Sequence, residues 1–155
     1  MEILLPKLQT SLYGYENYFN TFINLYKKKK LPNVILLRGP KGSGKATFIY
    51  HFINCLLSSK DDYNYSNFKI NQNSSSFNLI KNNLHPNFFL LDNDDNKDIK
   101  IEKTRNLLKF LSKSTYSKEL KLILIDNSDF LNLSSSNSLL KLLEEPFNNT
   151  FFFFI

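Results

Sequence analysis

Residues Gly39, Pro40, Lys41, Gly42, Ser43, Gly44, Lys45 and Ala46 match a phosphate-binding loop at every position but the last. In such a loop the backbone N–H groups and the Lys cradle the phosphates, while a closing Ser or Thr hydroxyl ligates Mg²⁺. Ala46 has no oxygen to give. Thr47 is the nearest hydroxyl, but one residue further along a helix turns the side chain by about 100°, away from the metal. The loop follows the apolar run Val34-Ile35-Leu36-Leu37 and opens a segment with Phe48, Ile49, Phe52, Ile53, Leu56 and Leu57 at helical spacing. This strand-loop-helix context favours a phosphate role over a plain Gly-rich turn. A third reading is an inherited loop that keeps its shape and has lost part or all of its nucleotide chemistry.

A second chemical position lies at Asp126, which ends the apolar run Leu122-Ile123-Leu124-Ile125. In P-loop ATPases an Asp so placed helps to hold Mg²⁺. In hydrolysing members of the AAA+ class of such enzymes the next residue is normally a Glu that activates water; here it is Asn127. A neutral amide orients a water but cannot take its proton, and a general base is worth roughly 10²–10⁴ in rate. Asp129, three residues past Asp126, reads as a turn or helix-start residue. The sequence therefore names no catalytic residue. The cradle, Lys45 and Asp126 leave ATP binding open, without hydrolysis.

These positions need elements to hold them. Tyr15, Tyr18, Phe19, Phe22, Ile23 and Tyr26 recur every three or four residues, which predicts an amphipathic helix over 14–29 with an aromatic core stripe. Residues 58–83 are polar, rich in Asn and Ser and without period, which predicts a partly disordered insertion. Further strands are expected at 87–91, 120–126 and 150–155, and helices from Ile101 to Leu111 and over 133–144, the latter capped by Asn132 and stopped before Pro146. Continuously apolar strands alternating with helices predict an α/β fold with a parallel sheet flanked by helices.

The composition sets bounds. The 155 residues suffice for one domain with a core. A formal charge of +6 is mildly basic, and its one tight run, Lys27 to Lys30, reads first as a solvated helix end. The single cysteine, Cys55, falls on an apolar helix face and reads as a small core residue. No stretch reaches transmembrane length and no signal segment opens the chain, so a cytoplasmic protein with no membrane partner is expected.

Several stretches resemble one family. His85-Pro86-Asn87-Phe88, the helix from Ile101 through Arg105 to Leu111, the run Leu122 to Asp129, and above all Asn137-Ser138-Leu139-Leu140-Lys141-Leu142-Leu143-Glu144-Glu145-Pro146 look like the clamp-loader subunits of bacterial DNA polymerase III. The delta prime type is the most similar, and the resemblance runs from about Leu12 to Ile155. It implies a P-loop AAA+ fold and membership of a five-subunit ring with gamma/tau and delta subunits. That ring opens the sliding clamp and places it on primed DNA during DNA replication.

Ala46 and Asn127 favour the delta prime type, a rigid stator with a degenerate nucleotide site, over the hydrolysing gamma/tau type, which is the alternative. A small P-loop kinase, a third reading, would need substrate-phosphate arginines and a lid that are not found. Related subunits carry a four-cysteine zinc module where this chain has its polar insertion. Cys55 with His51 and His85 does not make a tetrahedral site, and no zinc is expected. Arg38 and Arg105 match no arginine finger; they read as loop packing and as a surface helix residue.

The resemblance further implies that 1–155 is a partial AAA+ domain without its lid and ring-forming domain. The 150–155 strand should then be central, between the strands at 34–37 and 120–126, leaving Val34 to Leu37 as an open edge. Such a fragment or truncated product is expected to be marginally stable and prone to aggregate.

Overall fold

A computed structural model describes residues 4–93, 98–99, 101–112, 120–144 and 149–155. In chain order the elements are α1 (Glu16–Lys27), β1 (Val34–Leu36), α2 (Lys45–Leu57), β2 (Tyr63–Asn64), β3 (Lys69–Ile70), α3 (Ser75–Lys81), β4 (Phe88–Leu91), α4 (Ile101–Ser112), β5 (Lys121–Ile125), α5 (Leu133–Leu143) and β6 (Thr150–Phe154). They fall into two compact units. One comprises residues 1–32 and 39–86, the other residues 33–38 and 87–155.

The second unit is the parallel sheet, in the order β1-β6-β5-β4. The α/β class expected from the sequence is the one observed. The 150–155 strand is central, with Phe152 in register with Val34 on one side and Ile123 on the other. Phe151, Phe152 and Phe153 are all buried, as are the five residues of β5. Burying one such side chain stabilises by roughly 1.5–3 kcal/mol, so this aromatic run can set the sheet's register by itself. β4, α4, β5, α5 and β6 share a core of Leu91, Leu107, Leu111, Ile123, Ile125, Leu139, Leu142 and Phe152, joined by Ile99.

Two buried polar side chains in this unit are matched, whereas Thr104 Oγ1 and Asn93 Nδ2 are buried without a partner among the described residues. Lys121 is buried, but its Nζ donates to the Phe110 carbonyl at 2.8 Å and lies 4.3 Å from the Phe110 ring centre. Ser135 Oγ, also buried, donates to the Ile99 carbonyl at 2.9 Å and ties α5 to the segment before α4. Asn132 caps α5 as expected, its side chain accepting the Ser135 N–H at 2.8 Å. At the other end of the sheet β1 pairs only with β6 among the described residues, and Val34 and Leu36 are 43 % and 60 % exposed. The open edge expected at 34–37 is therefore present.

The first unit is held by aromatic rings. Phe19 of α1 meets Phe48 and Phe52 of α2 edge-on at 6.4 and 6.3 Å, and Phe22 meets the same two rings at 5.0 and 5.5 Å. The helical spacing thus placed α1 correctly, although it runs from Glu16 to Lys27 rather than over 14–29.

Residues 58–83 depart from expectation. They form the β2–β3 hairpin and α3, so the disorder read into their polar composition is corrected. Tyr63 stacks on Phe19 at 5.3 Å, and Phe68 meets the same ring edge-on at 5.7 Å. The Leu12 N–H donates to the Phe68 carbonyl and the Ile70 N–H to the Thr10 carbonyl, which extends the hairpin with the N-terminal segment. Ser74 caps α3, whose Phe77 and Ile80 are buried. A few widely spaced apolar anchors on preformed helices order a segment that has no period of its own.

Candidate nucleotide-binding site

The loop between β1 and α2 owes its shape to two glycines and a lysine. Gly42 and Gly44 sit at φ +80° and +88°, where a side chain would be strained, and a β-carbon on Gly44 would also come within 3.3 Å of Tyr15 Cε2. Lys45 folds back over the loop, its Nζ donating to the Gly39 carbonyl at 2.9 Å and the Pro40 carbonyl at 2.8 Å. An ammonium has three donors, so one remains for a phosphate oxygen. The Ser43 N–H closes a turn onto the Pro40 carbonyl.

The first helical bond of α2 runs from the Phe48 N–H to the Gly44 carbonyl at 2.9 Å. The N–H groups of Lys45, Ala46 and Thr47 therefore stand before the ladder begins, and Gly44 has no side chain to cap them. With the positive end of the helix dipole they favour an anion. Free donors and one ammonium proton fit the polyphosphate of ATP. The metal half of the site does not fit in the same way, because Ala46 offers no hydroxyl and the loop supplies no side-chain oxygen at that position. Lys41 is exposed and Thr47 half-buried.

At the ends of β4 and β5 several polar groups bond to one another, while Asn93 Nδ2 is buried without a partner among the described residues. Asp126 stands one residue beyond β5, and its Oδ1 accepts the Asn127 N–H at 2.9 Å. Asn127 is left-handed at φ +57°, a conformation that Asn tolerates better than most residues. Its Nδ2 donates to Asp92 Oδ1 at 3.2 Å and to Asn93 Oδ1 at 3.1 Å. Lys103 Nζ in turn donates to the Asp92 carbonyl at 2.7 Å. The residue in the position of a water-activating base is thus a tie between two strand ends. Asp129 is exposed in a short 3₁₀ turn over Ser128–Phe130, the turn role expected of it.

The remaining candidates are structural. Cys55 is buried, as expected, and burial pushes its thiol pKa up; it lies 2.9 Å from the Tyr65 hydroxyl. His51 on α2 is fully buried, with Nδ1 3.3 Å from the Tyr63 hydroxyl. Its burial lowers the imidazole pKa to about 4, against an opposing pull from the Gln9 backbone. His85 is shifted the same way by burial. Among the described residues no three His, Cys, Asp or Glu side chains group to hold a metal. Arg105 is a surface helix residue as expected, whereas Arg38 is exposed rather than packed against the loop. Glu144 is exposed at the end of α5; Glu145 and Pro146 lie outside the described residues.

Sequence reasoning missed Tyr15, which it assigned to the core stripe. Tyr15 is the residue before α1, only partly buried, and its hydroxyl donates to the Ser43 carbonyl of the loop at 2.6 Å. Its place at the helix start, a turn ahead of the buried Phe19, was the available signal.

Comparisons with known proteins bear on this arrangement. The family model described as "DNA polymerase III, delta subunit" matches residues 14–155. The chain is 28% identical over 137 residues to DNA polymerase III subunit delta' of Buchnera aphidicola subsp. Schizaphis graminum, covering 88% of this chain and 40% of that protein. It is 28% identical over 116 residues to the protein of the same name from Pseudomonas aeruginosa, covering 74% and 34%. A third such protein, from Buchnera aphidicola subsp. Acyrthosiphon pisum, is 28% identical over 141 residues, covering 88% and 41%. The chain thus spans roughly two fifths or less of the length of these relatives.

Proposed function

The chain belongs to the DNA polymerase III delta-subunit family, and from that membership we propose that the protein carrying it is a delta prime-type component of the clamp loader, a non-hydrolysing structural subunit. It acts by protein contact, with gamma/tau and delta subunits as its neighbours, and through that cytoplasmic assembly serves to place the sliding clamp on primed DNA. The observation that carries the non-hydrolysing reading is Asn127. Its amide is committed to Asp92 and Asn93 and cannot accept a proton from water. The missing hydroxyl at Ala46 acts in the same direction, by weakening the hold on Mg²⁺.

Nucleotide binding is separable from hydrolysis here. ATP, when bound, supplies a polyanion. The N–H groups at the start of α2 and the third donor of Lys45 meet its charge, while the other two donors keep the loop folded on Gly39 and Pro40. The loop on this reading is an AAA+ Walker-type cradle that retains binding and has lost turnover.

The test is twofold. The full-length protein should co-purify with gamma/tau and delta subunits, and it should release no phosphate from ATP above background, alone or with clamp and primed DNA. Turnover at a motor subunit's rate, abolished by Lys45→Ala, would assign it to the gamma/tau type instead.

A further inference from the structure

The phosphate loop is held from outside as well as from within. Inside, Lys45 grips the Gly39 and Pro40 carbonyls. Outside, the Tyr15 hydroxyl donates to the Ser43 carbonyl at 2.6 Å, across 28 residues of sequence. The tyrosine ring is not free to wander. It stacks on Phe48 at 5.3 Å and 30°, contacts Tyr18 at 6.1 Å, and its Cε2 stands 3.3 Å from where a β-carbon on Gly44 would sit. Its own backbone is fixed by the Phe19 N–H donating to the Tyr15 carbonyl at 2.8 Å.

The Ser43–Gly44 peptide is planar and trans, so its C=O and N–H point in opposite directions. Holding the carbonyl on Tyr15 therefore fixes the Gly44 N–H on the other side of the peptide plane. The loop's two left-handed glycines, Gly42 and Gly44, leave that peptide otherwise free to turn. We propose that Tyr15 is a positioning residue for polyphosphate: its hydrogen bond to Ser43 pre-sets the Gly44 N–H as a phosphate donor, so that the loop binds without a loop-held metal. This rests on the reading of the loop as a nucleotide cradle. Assembly with other clamp-loader subunits does not require it and is scored separately by co-purification.

The experiment is calorimetric titration of the full-length protein in EDTA with two probes, ADP and inorganic pyrophosphate. Tyr15→Phe keeps the ring on Phe48 and removes only the hydroxyl. It should weaken both probes by the same factor, about two- to tenfold for one neutral hydrogen bond. Equal affinity in Tyr15→Phe and wild type would overturn the proposal, and so would wild type that binds neither probe. Weakening of ADP alone would also overturn it, because the hydroxyl would then be touching the nucleoside rather than setting the loop. A second measurement needs no variant. Pyrophosphate should slow hydrogen exchange at the Gly44 amide of the wild-type protein, and an unchanged rate there would contradict the assignment.

Discussion

The loop at 39–46 and the strand ends at 92–93 and 126–127 differ in which groups their hydrogen bonds engage. In the loop, the backbone carbonyls are engaged by Lys45, Ser43 and Tyr15, and the N–H groups at the start of α2 remain free for an anion. At the strand ends the Asn127 side chain is tied to Asp92 and Asn93, and Asp126 Oδ1 accepts the Asn127 backbone N–H. The two parts of an ATPase are separable because they rest on different chemistry. Backbone geometry survives substitution wherever its glycines and its lysine survive, whereas proton abstraction needs one particular side chain. On the proposed reading, losing the base costs turnover and leaves the cradle standing.

The largest expected effect concerns the helix behind the loop. His51 is buried neutral on α2 with its pKa lowered to about 4, against 6.5 in the unfolded chain. Between these values the unfolded state binds a proton that the folded state refuses. Stability is therefore complete above pH 6.5 and falls as pH drops toward 4, by on the order of 3 kcal/mol. Thermal unfolding of the full-length protein from pH 7.5 to 4 measures this, and His51→Gln should flatten the dependence. Nucleotide binding should fade in the same window.

Next comes the loop itself. Lys45→Ala removes both internal bonds and the remaining phosphate donor, and should weaken ADP binding about ten- to a hundredfold, as expected for charge-assisted hydrogen bonds of roughly 1.5–3 kcal/mol. Titration calorimetry reads it. A variant that bound as well as wild type would break the comparison, since the loop would then not be the cradle.

Asn127→Glu probes the other side. A glutamate there should destabilise by about 1–2 kcal/mol and bring no turnover. It loses the two amide bonds, suits the left-handed backbone poorly and adds charge beside Asp92 and Asp126. Chemical denaturation and phosphate release score the two halves. A hundredfold gain in hydrolysis would mean that the strand ends were poised for catalysis after all. Ala46→Thr alone should leave turnover at background. Asn132→Ala is a cap loss of about 1 kcal/mol that should lower stability and leave ADP affinity unchanged.

What could be read in the sequence follows from how local its cause is. The run Phe151–Phe154 announced a continuously apolar strand, the family resemblance implied its central place, and β6 lies between β1 and β5. Asn132 could be placed because a cap acts three residues away. Residues 58–83 could not, because Tyr63, Phe68 and Ile70 owe their positions to Phe19 and the N-terminal segment, contacts that no local period records. The site divides the same way. Gly42, Gly44 and Lys45 follow from the motif, but Tyr15 reaches Ser43 from 28 residues away. The tie from Asn127 to Asp92 spans 35. Helical spacing gave Tyr15 an apolar neighbourhood and said nothing of its hydroxyl.

The most direct measurement follows the fate of bound nucleotide. The full-length protein would be mixed with a small excess of labelled ATP and Mg²⁺, unbound ligand removed, and the bound label resolved as ATP or ADP over several hours. The account predicts stoichiometric label that remains ATP. Label that converts to ADP at a motor subunit's rate, or no label retained at all, would contradict it.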